Sequence, residues 1–594
     1  MLDPYRMVVV NIISSFLLFG GVLIYRYIYP KRKVNLFFLL ILISILPVIS
    51  IFRTGAYESG DFNIHIYRSM AFYDALKDGQ IIPSWPRDLN GTYGYPLFIF
   101  NYNFPYYIIS FFHYLGFSFV LSMKLFLGLA YILSGVFMFL WSKNELKNSL
   151  AAFTASIFYL FTPYHLVDLH FRTSVGEITV FVLLPLLFLY IQEFLTNSKR
   201  IILLYIGLIF SFIILSHAGT GFFSLMIIIP YILYHSYFKK ISKRKINGDQ
   251  LLLGLFTSLL LGIIISSYIF LPYLLFAKYT YANLLTSSTV SFVPIQDLLF
   301  SPWRMGFLFQ GPKGELSFLI GYTQIFILFI VFLLSFKKFY SSLKINSEIF
   351  WLVISFILIF LMTPFSYQIW KTFSFLNVIQ FSYRLLLLLA ICIAMLAGKY
   401  VLNFSKKTWM VYFFLILTIG YTMLNWGNRR VIPTIDDNVL RNNLPKSTIG
   451  GEGFCCAGSP IWTDIKHPWI GKIPQKHLEI IEGKAEWKAI SRTSIKHEYI
   501  LFAKTPITVR ENTLYFPGWT IKDNQEKINI YYTVDDPRGV IKFNLTSGLH
   551  FIRLEYKDVP LFWLSKLISI IVIISLLIII AVHNVKRLFH QRYL

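Results

Sequence analysis

Long apolar runs broken by short polar clusters dominate roughly the first 426 residues, after which the pattern shifts to an alternation of period two. A helix needs ~20 apolar residues to cross the hydrocarbon core of a bilayer. That ruler predicts about thirteen spans, near 7–28, 34–52, 119–141, 149–162, 178–195, 201–216, 219–237, 251–271, 317–336, 348–363, 384–401, 408–426 and 561–583. The count can be tested against the basic clusters, which belong on the cytoplasmic side. Lys31-Arg32-Lys33, Lys143 with Lys147, Lys199-Arg200, Lys239 to Lys245, Lys337-Lys338, Lys406-Lys407 and Lys586-Arg587 all fall on one side. The amino terminus is then predicted outside and the carboxyl terminus inside. Pro105 to Gly116 is apolar and helical in pattern, yet a span there would invert every later loop. It is read as a helix lying on the outer membrane surface.

Three long segments then share the outer side: 53–118, 272–316 and 427–560. The last contains alternating runs at Ile507–Arg510, Ile528–Val534, Val540–Leu545 and His550–Tyr556, punctuated by Gly518, Asp536-Pro537 and Ser547-Gly548. Short strands with turn signals at this spacing predict a small β-sandwich. The expected organisation is a multi-span membrane domain over 1–426, an extracytoplasmic β-rich domain over 427–560, and a final span with a basic tail over 561–594.

Composition agrees with the spans. The chain is 56% hydrophobic and only 14% charged, with a mean hydropathy of +0.62, which describes a polytopic membrane protein. The net charge of +25 resides mainly in the orientation clusters, so no nucleic-acid partner is expected. Three cysteines exclude a disulfide scaffold. The vicinal Cys455 and Cys456 read as a packing feature, and the first apolar run as a retained span, not a cleaved signal.

Candidate chemistry begins where the second span ends, in Gly60-Asp61-Phe62-Asn63-Ile64-His65-Ile66-Tyr67-Arg68. On a helix Asp61, His65 and Arg68 stand at i, i+4 and i+7, one narrow polar stripe on an otherwise apolar cylinder. The stripe faces either water or a protein cavity, and Asp61 alone also reads as a carboxylate favoured at a helix N-terminus. Trp85, Tyr95, Tyr106 and Tyr107 follow in a loop rich in aromatics, Gly and Pro. Each reads either as membrane-interface belt or as the wall of a carbohydrate or headgroup cleft. Arg68, Arg172, Arg304, Lys313 and Arg384 fall near the outer face, where each reads as a snorkelling residue or a phosphate contact. Arg172 near Asp168 and Glu177, and Arg384 near Gln380, are favoured, because charge at a span end is costly to leave unpaired. His217 occupies the tight outer turn Ser216–Thr220, and His165 and His170 flank Asp168 without the further ligands a zinc site needs.

The run from Asp61 through Trp85, Gly94 and Pro96 to Pro105 resembles the first extracytoplasmic loop of integral-membrane glycosyltransferases of the GT-C class. More closely, the chain is similar to bacterial YfhO-type proteins and to the membrane proteins labelled 6-pyruvoyl-tetrahydropterin synthase-related. Three further stretches carry the resemblance: Thr162–Glu177, Val378–Arg384, and Tyr515–Trp519 with Gly548. The turn around His217 resembles the family pattern as well. The resemblance implies a GT-C-like fold and transfer of a sugar from a polyprenyl phosphate to a hydroxyl of a cell-surface glycan, lipid or polymer. It implies Asp61 as the base or a metal ligand, with Mg or Mn as the candidate ion; Glu58 lies about one turn earlier. His65, Arg68, Trp85, Arg172, Glu177, His217, Arg304, Gln380 and Arg384 are the expected substrate contacts. The expected partners are a lipid-linked donor, a cell-envelope acceptor and membrane lipid, and the expected location is the bacterial cytoplasmic membrane.

Two rivals use the same features: a transporter or flippase of lipid-linked saccharide, and a non-catalytic scaffold whose β domain binds a partner. A flippase is expected to show internal repeats or Gly- or Pro-broken helices near the midplane. No Walker-type phosphate loop is present, so ATP drive is not expected.

Overall fold

The computed structural model describes residues 5–238, 248–281, 290–342, 346–403, 408–427, 430–445, 458–464 and 473–592. Cys455-Cys456, the 239–245 basic block and Lys406-Lys407 lie outside the described residues. Among those described, seven single helices are long and apolar enough to cross a membrane, two bent helix pairs also qualify, and four apolar helices are shorter. Each expected span has one of these helices at its place. The chain is a multi-pass membrane protein.

Side-chain caps start several helices where the sequence places Asn or Ser. Asn148 accepts from the N–H groups of Leu150 and Ala151, Asn346 from Glu348 and Ile349, and Ser118 from Leu121. Proline breaks the two bent pairs. Thr162 and Thr363 are extended, as a residue before proline tends to be, and Pro163 and Pro364 open new helical segments. The turns are 53° at 149–160/163–172 and 86° at 347–362/364–372. The 149–162 run is therefore half of a broken element, not a straight span. The helix at 382–402 is buried on nearly every side, whereas the first helix is exposed along most of its length. Phe104–Tyr114 packs against 62–77 and 119–146 and exposes Phe111 and Tyr114.

Beyond the spans the period of two becomes sheet. A short ribbon pairs β1 (Ala56–Tyr57) with β2 (Val431–Ile432) and ties the 53–118 segment to the chain beyond residue 430. The larger strands are β3 (Leu478–Glu482), β4 (Ala485–Arg492), β5 (Lys496–Ala503), β6 (Ile507–Leu514), β7 (Trp519–Asp523), β8 (Glu526–Ile528), β9 (Tyr531–Tyr532), β10 (Val540–Leu545) and β11 (Gly548–Tyr556). They form two antiparallel sheets, ordered β3-β6-β10-β9 and β4-β5-β11-β7-β8. Along β5 alternate residues His497, Tyr499, Leu501 and Ala503 turn inward, as the pleat requires. Between the sheets, Tyr499 donates 3.0 Å to Glu511 Oε1, and His497 Nδ1 lies 2.8 Å from the same oxygen. Burial opposes the charge on Glu511, but His497 and Arg492 outweigh it and hold the carboxyl at about 2.

This sandwich docks onto the 53–118 segment. Trp85 inserts between Trp519 and Tyr556, with ring centroids 5.4 Å from each. Ser494 donates its N–H to Asp78 (2.7 Å), and Arg492 donates to the Thr92 carbonyl (2.8 Å).

Candidate functional site

Asp61 stands at the start of the 62–77 helix, and the chain that delivers it is stitched to a distant turn. The N–H groups of Gly60 and Asp61 each donate 2.8 Å to the carbonyls of Phe171 and Arg172. The segment Val167–Arg172 is a π-helical turn, a form often found at functional sites. Thr173 follows in the left-handed region (φ 56°), and its hydroxyl meets Ser59 at 2.6 Å. Capping of the 62–77 helix is done by Ser59, whose hydroxyl accepts from Phe62 N–H at 3.2 Å. The Asp61 side chain makes no cap hydrogen bond. Its carboxylate is thus not committed to the helix end, although that is a familiar structural use for such a residue.

A cavity of about 380 Å3 opens beside it, and its wall is of two kinds. Asp61, His65, Arg68, Arg172, His217, Gln380 and Arg384 supply polar groups, while Phe222, Ile269, Phe270, Tyr273 and Phe381 supply an apolar side. The predicted stripe is realised: the 62–77 helix turns Asp61, His65 and Arg68 to the same space. His65 Nδ1 lies 2.9 Å from the Tyr106 hydroxyl. Tyr106 in turn stacks on Tyr102 (centroids 6.0 Å, 9° between planes), and its phenol lies in electrostatic reach of Arg68.

Behind the polar wall lies a charge network whose acids, Asp168 and Glu177, are fully buried and whose arginines reach the cavity. Arg172 donates to Asp168 Oδ1 (2.6 Å), Glu177 Oε1 (3.0 Å) and the Tyr164 hydroxyl (2.8 Å). Arg384 Nε pairs with the same Glu177 oxygen at 3.2 Å. Its Nη1 donates to the Ile379 carbonyl (2.6 Å) and to Gln380 Oε1 (3.2 Å). Tyr164 donates to Glu177 as well. Two acids and two guanidinium groups compensate each other, which is what makes ionised groups tolerable at this depth. Gly176 lets this network assemble, because a Cβ there would overlap the Ser216 carbonyl and approach the Tyr102 ring.

Two features carry stored strain or shifted charge. Gln380 has φ 65° and ψ −44°, and Phe381 N–H reaches back 2.8 Å to the Ile379 carbonyl. That is the rare, strained form of γ-turn. Burial raises the pKa of Asp61, opposed by Arg172, Arg68 and Arg384 and reinforced by Glu177.

Not every expected residue gathers here. Glu177 sits just behind the wall, reaching the cavity only through the arginines. His217 lines the cavity, and its Nδ1 accepts from Thr220 N–H (3.1 Å), so it also caps the 218–233 helix. Trp85 is fully buried under the sandwich, away from the cavity, because its ring fills the gap between Trp519 and Tyr556. Arg304 lies on an exposed turn whose strained backbone (φ 44°) belongs to the Trp303–Leu308 bridge, and it does not line the cavity. Sequence reasoning did not single out Tyr102, Asn101 or Asn377, which the cavity includes. Only the Asn101-Tyr102-Asn103 run, polar beside an apolar helix, carried a signal for the first two.

A divalent ion does not suit this donor set. Mg and Mn sites draw on one or two carboxylates with water and phosphate. Asp168 and Glu177 are taken by arginines, Glu58 is exposed, and Asp61 faces three guanidinium charges. Among the described residues no three His, Cys, Asp or Glu side chains converge. No step is therefore assigned to a metal.

An uncharacterised protein of Lactococcus lactis subsp. cremoris (strain MG1363) is 25% identical over 251 residues, spanning 41% of this chain and 40% of its own length. Among solved structures, the oligosaccharyltransferase of Archaeoglobus fulgidus in the apo form aligns with TM-score 0.41 and 13% identity, covering 66% of this chain and 55% of the other. The same organism's AglB in complex with an inhibitory peptide and a dolichol-phosphate aligns at 0.39 and 13%, with the same coverage. The chain thus spans well under two thirds of each of these proteins. Residues 100–427, more than half of the chain and including most of the cavity wall, match the family described as 6-pyruvoyl-tetrahydropterin synthase related domain, membrane protein, and the chain belongs to that family.

Proposed function

We propose that this chain is a GT-C-type glycosyltransferase that moves a sugar from a polyprenyl phosphate to a hydroxyl of a cell-envelope glycan, lipid or polymer. The observation that carries the reading is Asp61: a carboxylate without a hydrogen-bond partner among the described residues, on the wall of a cavity that is apolar on one side and polar, with three arginines, on the other. An amphiphile with an anionic head suits both halves of that wall. In this reading the 53–118 segment lies on the outer side, with the amino terminus out and the carboxyl terminus in, and the reaction takes place outside the cytoplasmic membrane.

In this reading the acceptor oxygen attacks the anomeric carbon. Its O–H proton passes to Asp61 Oδ, the new C–O bond forms, and the bond from that carbon to the phosphate oxygen breaks. The electron pair leaves with the phosphate, whose growing charge the cavity cation steadies. Asp61 must be ionised to serve, which its raised pKa makes dependent on pH.

The two proline-broken elements, 149–160/163–172 and 347–362/364–372, favour a second reading, a flippase of the same lipid-linked saccharide. One experiment separates the two. Purified, reconstituted wild type and Asp61→Asn are given polyprenyl-phosphate sugars and envelope acceptor, and donor loss is followed by mass spectrometry. Transfer predicts donor consumption that falls ~10²- to 10⁴-fold in a folded Asp61→Asn protein. Donor that is bound and moved across the bilayer but never consumed, with or without the Asp61 carboxylate, would establish the flippase instead.

A further inference from the structure

We infer that Arg68 is the phosphate anchor of this cavity, and that Arg172 and Arg384 are positioning residues that do not bind the anion. The inference rests on the lipid-phosphate reading above and assigns its charge-recognition point. Three guanidinium groups border the cavity, and they differ in what they already hold. Arg172 is bonded to Asp168 and Glu177, and Arg384 is paired with Glu177 and bonded to the Ile379 carbonyl and Gln380. Their charges are compensated in place: drawing Arg172 onto a ligand would strand the buried Asp168, and drawing Arg384 away would leave the buried Glu177 with one cation in place of two. Among the described residues Arg68 makes no salt bridge with a carboxylate; it lies in electrostatic reach of Asp61 and of the phenols of Tyr106, Tyr95 and Tyr102. Neutral phenols hold a guanidinium in position without cancelling its charge, so Arg68 keeps both its field and its remaining N–H donors for an incoming anion.

Position supports the same assignment. Asp61 and Arg68 stand seven residues apart on one face, about 10 Å along the helix axis. Asp61 is the carboxylate without a hydrogen-bond partner on this wall, and Arg68 the wall's arginine that makes no salt bridge among the described residues. A base at one end and a cation at the other match the line of an in-line displacement, with acceptor oxygen, anomeric carbon and departing phosphate between them. His65, one turn above Asp61 on the same stripe, hydrogen-bonds Tyr106 and thereby steadies the phenol beside Arg68.

Equilibrium binding of radiolabelled farnesyl phosphate to the purified full-length chain in detergent tests this, with farnesol and inorganic phosphate as competitors. Wild type, Arg68→Gln, Arg68→Lys, Tyr106→Phe and Arg384→Gln are compared, each first checked for a cooperative melt. The expected result is roughly ten- to a hundredfold weaker farnesyl phosphate binding in Arg68→Gln, with farnesol unaffected. Arg68→Lys should recover part of the loss, and Tyr106→Phe should show a smaller loss of the same kind. If Arg68→Gln melts abnormally, the Arg68→Lys and Tyr106→Phe results decide. Full affinity in Arg68→Gln with loss in folded Arg384→Gln would overturn the inference and leave the lipid-phosphate reading standing. Equal binding of farnesol and farnesyl phosphate by wild type would overturn both. Arg68-dependent binding in which inorganic phosphate competes as well as farnesyl phosphate would uphold the anion site and remove its lipid specificity.

Discussion

Glu177, in the first turn of the 175–197 helix, places Oε1 3.2 Å from Nε of Arg384, at the start of a helix from the other half of the chain. The same oxygen takes Arg172, so one carboxylate pins two buried cations. Glu177→Gln keeps the shape and removes the charge. It is expected to lower stability by about 3–5 kcal/mol, since Arg384 loses its counter-ion and Arg172 keeps only Asp168. Thermal melting in detergent measures this, and the Glu177→Gln/Arg384→Gln pair should recover part of the loss by removing one stranded charge.

Asp61 is expected to behave oppositely. Its folded pKa is raised, so the folded state holds the proton more tightly than the unfolded chain, and stability falls as pH rises through the unfolded value of about 3.9 towards the folded one. At neutral pH Asp61→Asn should therefore melt higher than wild type, by about 1 kcal/mol, while losing activity. The rate of wild type should rise with pH along a limb lying above the ordinary aspartate range. A limb centred at that ordinary range, or a destabilised Asp61→Asn, would contradict the raised pKa.

What could be read from the chain beforehand follows from the range of the forces involved. The spans were legible because bilayer thickness imposes a local ruler on each apolar run, and the sandwich because the pleat imposes a local alternation. The stripe of Asp61, His65 and Arg68 was legible for the same reason, being fixed by helix periodicity alone. The contact of Gly60 and Asp61 with the carbonyls of Phe171 and Arg172 was not, since it depends on where two distant turns meet. Trp85 shows the limit most plainly. An aromatic residue in an outer loop has the same local signature whether its ring faces a sugar or fills a gap against Trp519 and Tyr556. The breaks at Pro163 and Pro364 were visible as residues, but the bends of 53° and 86° depend on what each second segment packs against.

Gln380 occupies its strained turn with φ 65° while its side chain bonds Arg384. Glycine adopts that backbone freely, so Gln380→Gly trades relief of strain against the lost hydrogen bond and greater freedom in the unfolded chain. It should stay within about 1 kcal/mol of wild type. Gln380→Ala keeps the strain and loses the bond, and should melt lower than Gln380→Gly by about 1 kcal/mol. The reverse order would mean that the turn is unstrained in solution.

Trp85 provides the test of how the sandwich is held. Its ring is buried against Trp519 and Tyr556, near the Ser494–Asp78 and Arg492–Thr92 hydrogen bonds. Trp85→Ala should cost about 3–5 kcal/mol and Trp85→Phe distinctly less, because a phenyl ring fills only part of the gap. The loosened sandwich should become more open to limited proteolysis at the β4–β5 turn, residues 492–496, which bonds Asp78 and Thr92. Farnesyl phosphate affinity in Trp85→Phe should remain within about twofold of wild type, since the ring lies outside the cavity wall and a twofold change is only about 0.4 kcal/mol. A tenfold loss of affinity in a Trp85→Phe protein of normal melting temperature would instead place this ring in ligand recognition.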